Sequence, residues 1–236
     1  MRDLADMAIG TPGPAVRRYA ARPRDAATLI LVQQSSGGAR VLMGRRNAGH
    51  GFMPDKWVFP GGRVAPADFT APSASALRVE VASALAEQVG GRRGRAIAVA
   101  AVRETFEETG LRLAAPDIGP KRRGVWAEFC MHGMAPDLQA LSFIGRMITP
   151  PHRDRRFDTR FFVADAARLV SQRPMDSQEL EEVRWVPFAE TCALDLPRAT
   201  RIVLGELGAR LAGERRPPLF HRFRTARKQD RTEREE

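Results

Sequence analysis

The sequence predicts an α/β fold in which helices flank a mixed β-sheet. Short runs rich in β-branched and aromatic residues alternate with longer segments of helical periodicity, and the regular strand–helix–strand unit of a parallel sheet is missing. Of the 236 residues, 43% are hydrophobic and 28% are charged. A chain of this length and composition can bury the core of one sizeable globular domain. Coiled coils, collagens and mucin-like chains are therefore excluded.

The first half of the chain predicts a hairpin, a short strand and two helices. The hairpin joins residues 26–33 and 40–46 through a Ser-Gly-Gly turn, and the strand at 57–59 enters Pro60-Gly61-Gly62. An alanine-rich segment then predicts a helix at 77–89, a Gly-Arg break at 90–94 and a second helix at 96–109. Gly110 is a typical helix-ending residue.

The second half predicts further alternating elements, and the whole chain divides into three parts. A helical stretch is expected at 125–131, strands at 140–148, 156–163 and 183–186, a short helix after the second of these strands, and an amphipathic helix at 196–211. The predicted parts are an N-terminal extension at 1–24, a domain at 25–213 with an insertion at about 69–95, and a basic, flexible tail at 214–236.

The net charge of +10 is concentrated toward the two ends. Residues 1–24 contain five arginines and two aspartates, and residues 214–236 contain eight basic and five acidic residues. Since charge of this kind also serves solubility, nucleic acid is not the expected partner, whereas acidic small molecules are. No membrane-spanning run or secretory signal is expected, and two cysteines predict no disulfide framework, so a cytoplasmic location is expected.

Three glutamates in the second predicted helix point to a cation site. At about 100° per residue, Glu104, Glu107 and Glu108 fall within a sector of about 100° near the helix C-terminus, where negative charge is unfavourable. Mg²⁺ is the natural candidate because it takes oxygen ligands and bridges carboxylates to phosphates. Gly61-Gly62 offers backbone groups that could approach the same ion. A solvated acidic helix face beside an ordinary glycine turn fits the same pattern.

The same segment resembles the Nudix box, G-x5-E-x7-R-E-U-x-E-E-x-G-U, where U is aliphatic. Gly62 is followed by Arg103-Glu104-Thr105-Phe106-Glu107-Glu108-Thr109-Gly110-Leu111. The sequence departs from the pattern at three points: Asp68 stands where the family has Glu, 27 extra residues separate it from Arg103, and Thr105 replaces an aliphatic residue. The extra residues must loop out, which costs about 0.6 kcal/mol per doubling of loop length.

The interrupted box, together with the segment at 41–62, is similar to the subgroup that contains the coenzyme A diphosphatases. The resemblance covers about residues 26–211 and implies a Nudix-type α/β/α sandwich with a helical insertion. It also implies hydrolysis of a nucleoside diphosphate linked to another moiety, with coenzyme A or acyl-coenzyme A as the leading substrate. ADP-ribose, NADH, a dinucleoside polyphosphate or an oxidised nucleotide is the alternative, and a catalytically silent nucleotide sensor is another.

The resemblance also implies roles for particular residues. Mg²⁺ or Mn²⁺ would be held by Glu107, Glu108 and the Gly62 carbonyl, with the Gly61 carbonyl as the alternative to that of Gly62. Glu104 would be a further ligand or the base, with Arg103 and Glu107 completing the catalytic set. Arg103 is expected to pair with a neighbouring carboxylate and orient it.

The base and the phosphate ligands are drawn from other parts of the sequence. The alternatives to Glu104 as base lie just before a predicted strand, at Glu179, Glu181 and Glu182. Candidate phosphate contacts are Arg45, Arg46 and Arg160. The expected partner is a small-molecule nucleotide diphosphate derivative, and a homodimer is left open.

Overall fold

The structure is a computed structural model that describes residues 22–49, 53–119, 122–151, 153, 155–171 and 173–223, together with the backbone of 231–234. Nearly all of the predicted N-terminal extension, at 1–24, lies outside the described residues. Residues 224–230 and 235–236 of the predicted tail also lie outside them. No helix in the described part of the chain is long and apolar enough to cross a membrane.

Eleven strands are present in the described residues. Nine of them form one sheet, and β5 and β6 form a separate two-stranded antiparallel sheet. The strands are β1 (Arg24–Gln33), β2 (Arg40–Arg46), β3 (Trp57–Val58), β4 (Gly61–Arg63), β5 (Ala114–Pro116), β6 (Met134–Pro136), β7 (Ser142–Ile148), β8 (Phe157–Asp165), β9 (Leu180–Pro187), β10 (Leu219–Arg222) and β11 (Arg231–Arg234).

Strand β1 lies at the centre of the sheet and makes it mixed. It runs parallel to β8 along one edge and antiparallel to both β4 and β2 along the other, with β4 opposite its first half and β2 opposite its end. β7 and β10 extend the sheet beyond β8, while β2 carries β3 and β9. This arrangement confirms the predicted mixed sheet and places the Gly61-Gly62 segment directly beside the central strand.

Two hydrophobic clusters lie on opposite faces of the sheet. Because side chains alternate along a strand, Leu29 and Leu31 of β1 join one cluster and Ile30 and Val32 join the other. Helices on both faces cover these clusters and complete the predicted three-layer α/β/α sandwich. The helices are α1 (Val79–Val89), α2 (Gly91–Thr109) and α3 (Val125–Phe129) on the first face, and α4 (Arg198–Leu211) on the second.

Helix α2 begins earlier than the sequence predicts. The Gly-Arg segment at 90–94 was expected to break the chain, but only Gly90, with φ of 81°, lies outside the two helices. Gly94 lies within α2 and faces Leu85 of α1. A β-carbon at this position would lie 2.7 Å from Cβ of Leu85, so the glycine permits α1 and α2 to pack closely. The predicted end at Gly110 is confirmed, with φ of 71°.

The segment after Gly213 also differs from the prediction of a tail outside the fold. Strand β10 pairs in parallel with β7, and Leu219 is buried in the cluster beneath α4. Buried Glu206 of α4 accepts hydrogen bonds from Arg210 and Arg216, each at 3.2 Å, which attach this segment to the helix. Four residues of mixed polarity give too weak a periodic signal for a strand to be predicted.

Candidate active site

The two glycines of β4 face the C-terminal half of α2. Gly62 lies opposite Ala27 of β1, and Gly61 lies opposite Thr28. A β-carbon on Gly62 would lie 2.4 Å from Cδ of Glu104, so the carboxylate occupies the space that any other side chain would need. The backbone N–H of Gly61 donates a hydrogen bond to Glu108 Oε2 at 2.9 Å. Two of the three predicted glutamates therefore contact the glycine segment directly.

Arg103 connects α2 to the segment that follows β4. Its Nε and one of its terminal nitrogens donate to the two oxygens of Asp68, at 2.8 and 2.9 Å. The same terminal nitrogen donates to the carbonyl oxygen of Arg63 at 2.9 Å. Asp68 is fully buried and the Arg103 side chain is 8% exposed, so the pair is shielded from solvent.

The other terminal nitrogen of Arg103 holds two of the glutamates. It donates to Glu104 Oε1 at 2.9 Å and to Glu107 Oε2 at 2.6 Å. Arg103 thus pairs with neighbouring carboxylates, the role that the resemblance implied for it. Asp68, which replaces the glutamate of the family pattern, reaches the guanidinium through both of its oxygens despite its shorter side chain.

Burial perturbs two of the glutamates strongly. Desolvation raises the pKa of Glu104 to about 7, against the lowering effect of Arg103, and the charges of Glu107 and Glu179 raise it further. Desolvation also raises the pKa of Glu108 to about 8, although the hydrogen bond from Gly61 lowers it. Both carboxylates are therefore costly to ionise without an added positive charge.

The chemistry of these donors suits a divalent cation. Glu104 and Glu108 supply hard carboxylate oxygens at the glycine segment, and Glu107 supplies another next to them on α2, which is the donor type that Mg²⁺ and Mn²⁺ take. No three acidic, His or Cys side chains among the described residues are already arranged around a cation position. Two of the glutamates are instead directed at Arg103, so these side chains would have to turn to ligate a metal.

A groove of about 2090 Å³ opens beside this segment and is lined by both glycines and by Glu104. Ten arginines line it, against three acids, namely Asp25, Glu104 and Glu179. Its floor includes Phe157 and Phe161 of β8. The groove therefore suits a ligand with several negative charges and a flat apolar part.

Of the three arginines predicted to contact phosphate, the structure places Arg46 in the groove. Burial lowers the pKa of Arg46, while the charges of Glu108 and Glu179 raise it. Arg45 does not line the groove, because adjacent residues of a strand project to opposite faces. It binds Glu182 at 2.7 Å, Asp55 at 3.1 Å and Glu181 at 3.4 Å.

Arg160 is also outside the groove. Its neighbours in β8, Thr159 and Phe161, line the groove, so the Arg160 side chain projects to the opposite face. There it is fully buried, and it donates to Asp25 at 3.0 Å and to Gln88 of α1 at 3.3 Å. The structure thus gives Arg160 a place in the core instead of the expected contact with phosphate.

The three alternative bases are also separated. Glu179 lines the groove, and its charge acts on both Glu104 and Glu108. Glu181 accepts a hydrogen bond from Asn47 at 2.6 Å, and Glu182 accepts one from Arg45 at 3.0 Å. Sequence reasoning did not identify the other arginines of the groove, because in a chain with 38 basic residues no single arginine stands out.

A family model and two curated relatives match this chain. A family model described as NUDIX domain matches residues 22–204. Two curated relatives are both named acyl-coenzyme A diphosphatase NUDT19. The protein from Gallus gallus is 26% identical over 227 residues, covering 69% of this chain, and the protein from Xenopus laevis is 25% identical over 207 residues, covering 65%. The chain spans 60% and 54% of the length of these two relatives.

Solved structures that resemble this chain include one with similarity in both sequence and fold. The crystal structure of a NUDIX hydrolase from Alicyclobacillus acidocaldarius is 29% identical, with a TM-score of 0.56. The match covers 78% of this chain and 90% of that chain.

Proposed function

The chain belongs to the Nudix family, and from this membership we propose that it is a metal-dependent hydrolase of coenzyme A or acyl-coenzyme A. The reaction would cleave the diphosphate and release 3′,5′-ADP and (acyl) 4′-phosphopantetheine. The observation that carries the proposal is the contact of Glu104 and Glu108 with Gly61-Gly62 at the side of an arginine-rich groove, with Glu107 held beside Glu104 by Arg103.

The proposed metal ligands are Glu107, Glu108, Glu104 and the Gly62 carbonyl. Bound Mg²⁺ or Mn²⁺ would neutralise charge on the diphosphate and make an attacking water more acidic. Glu104 is the first candidate to accept the proton of that water, because its carboxylate lies against Gly62. Glu179 is the second candidate, because it lines the same groove.

The other residues of the site would position these groups. Arg103, fixed by Asp68 and the Arg63 carbonyl, holds the carboxylates of Glu104 and Glu107 next to each other. Arg46, which is half-buried in the groove, is the proposed contact to the diphosphate. Arg45 and Arg160 have carboxylate partners outside the groove and are left out of this set.

Coenzyme A is preferred over other nucleotides for two reasons. The curated relatives are named acyl-coenzyme A diphosphatases, and the groove carries more positive charge than a diphosphate alone would need. The cytoplasmic location, the homodimer and the domain limits suggested by the sequence stay predictions.

A substrate panel tests the proposal. Coenzyme A, acetyl-coenzyme A, ADP-ribose, NADH, a dinucleoside polyphosphate and 8-oxo-dGTP are incubated with the protein and Mg²⁺ or Mn²⁺, and the products are separated by chromatography. Release of 3′,5′-ADP from coenzyme A supports the proposal. If only another member of the panel is hydrolysed, coenzyme A is not the substrate. If no member of the panel is hydrolysed, the result favours a nucleotide sensor.

A further inference from the structure

The groove extends well beyond the glycine segment, along the central strand. Gly61 is opposite Thr28 of β1, and Arg24 lies four residues nearer the start of that strand. At about 3.3 Å per residue, Arg24 is about 13 Å from this point. Arg24 is also in register with Phe157 of β8, and both line the groove. The far end of the groove is therefore separated from the carboxylates by about the span of a nucleoside.

This far end is surrounded by arginines, which we call the far-end arginines: Arg22, Arg24, Arg153, Arg155 and Arg156. Arg156 is half-buried and fixed, since its Nε donates to the Thr149 carbonyl at 3.3 Å and its own carbonyl accepts from the Arg24 N–H at 3.0 Å. The other four are exposed, and none forms an ion pair with a carboxylate in the described part of the chain. Such a group of exposed cations favours an anionic ligand.

The insertion within the Nudix box contributes to the same region. Phe69 and Arg93, which lie at its two ends, both line the groove. Arg93 pairs with Asp25 of β1, and Asp25 also accepts a hydrogen bond from Arg160 at 3.0 Å. The second end of the insertion is thus attached to the start of the central strand, next to Arg24.

We propose that the far-end arginines bind a second phosphate group of the substrate, a phosphomonoester carried on the nucleoside whose diphosphate lies at Gly61-Gly62. This inference rests on the proposed function and specifies the nucleoside end of the substrate. Phe157, level with Arg24, and Phe161, level with Thr28 and so with Gly61, line the groove at the two ends of this span and offer apolar surface to the base. A nucleotide with a 3′-phosphate meets these requirements, and one with an unmodified ribose leaves the far-end arginines without a ligand.

Binding without turnover tests the subsite directly. The affinities of 3′,5′-ADP and 5′-AMP are measured by titration calorimetry for the wild-type protein and for the double variant Arg24→Gln/Arg155→Gln. The wild type is expected to bind 3′,5′-ADP about tenfold more tightly, because the extra phosphate gains charge-assisted hydrogen bonds. In the double variant this preference is expected to fall to about twofold or less.

A matched control removes two arginines that do not line the groove. Arg123 and Arg173 are both exposed, so Arg123→Gln/Arg173→Gln has the same loss of charge. The control is expected to keep the tenfold preference, and melting temperatures verify that both variants fold. Equal affinity for the two ligands in the wild type would overturn the subsite, and so would a preference that survives in Arg24→Gln/Arg155→Gln.

Turnover separates failure of the subsite from failure of the proposed function. The ratio of kcat/KM for coenzyme A to that for dephospho-coenzyme A is expected to be about ten in the wild type and close to one in Arg24→Gln/Arg155→Gln. Hydrolysis of both substrates with equal kcat/KM in the wild type would refute the subsite and leave the function standing. Arginine-dependent binding of 3′,5′-ADP without hydrolysis of either substrate would refute the function and support the subsite.

Discussion

The carboxylate of Glu104 lies directly against the α-carbon of Gly62, in the space where a β-carbon would be only 2.4 Å from its Cδ. These two residues, one in β4 and one in α2, are 42 positions apart in the chain. The conformation of the Glu104 side chain therefore depends on the residue at position 62. A β-carbon at position 62 would displace the Glu104 carboxylate, so the position of the carboxylate depends on the glycine.

Replacing Gly62 with alanine is expected to displace Glu104 and lower kcat by about 100-fold, as ångström-scale misplacement of a catalytic group does. Steady-state hydrolysis of coenzyme A measures this effect. Gly205→Ala is the matched control, since a β-carbon there meets nothing within 4 Å. Because Gly205 lies inside α4, that control is expected to gain about 0.5–1 kcal/mol of stability. A Gly62→Ala protein with wild-type kcat would contradict the proposed role of Glu104.

Replacing Glu107 with glutamine removes a proposed metal ligand and keeps the size of the side chain. We expect kcat/KM to fall by at least about 100-fold, since several kcal/mol of electrostatic stabilisation depend on the metal and 1.36 kcal/mol corresponds to a tenfold change. The fold is expected to survive, because Glu107 is partly exposed. Glu87→Gln, at an exposed position of α1, is the control and is expected to keep full activity. Unchanged rates in Glu107→Gln would remove this residue from the site.

Replacing Asp68 with alanine leaves the Arg103 guanidinium buried without its principal partner. We expect a loss of about 3–5 kcal/mol in the free energy of unfolding, the usual cost of breaking a buried ion pair. Urea denaturation measures it. Asp55→Ala breaks an exposed pair with Arg45 and is expected to cost about 1 kcal/mol or less. Equal losses in the two variants would show that Asp68 does not anchor α2.

The stability of the metal-free protein is expected to depend on the charge of Glu108. Its folded-state pKa of about 8 is above the ordinary value of 4.5. Between pH 4.5 and pH 8 the folded protein therefore keeps a proton on Glu108 that the unfolded protein releases. Glu108 therefore favours unfolding increasingly as the pH rises from about 4.5 to about 8. Glu104, with a pKa of about 7, acts in the same direction.

Urea denaturation in EDTA at pH 5, 6, 7 and 8 measures this dependence. Glu108→Gln resembles the protonated carboxyl group and is expected to gain stability relative to the wild type as the pH rises. Added Mg²⁺ is expected to stabilise the wild type more at pH 8 than at pH 6. A difference between wild type and variant that stays constant across this range would contradict the proposed desolvation of Glu108.

Local sequence patterns predicted the elements with strong periodicity and missed features that depend on distant parts of the chain. The central hairpin and the end of α2 at Gly110 follow from alternation and a glycine signal, and the structure has both. The residues alone left open whether Gly61-Gly62 approaches the ion held by the glutamates or forms an ordinary glycine turn, and the family resemblance implied the approach. Strand β10 depends on pairing with β7, which nothing in its own four residues indicates.

The arginines show the same limit at the site. Whether Arg46 or Arg45 faces the groove depends on the strand register, and two of the three partners of Arg45, Glu181 and Glu182, are 136 and 137 residues away along the chain. The full burial of Arg160 results from the alternation of β8 across the sheet. Residue type alone could not distinguish these three side chains.

The Asp68–Arg103 pair also closes a segment that serves two purposes at once. Between these two residues the chain contributes Leu85 to the hydrophobic cluster on the first face of the sheet, and Phe69 and Arg93 to the groove. A substitution in this segment can therefore change the stability of the domain and its choice of ligand together.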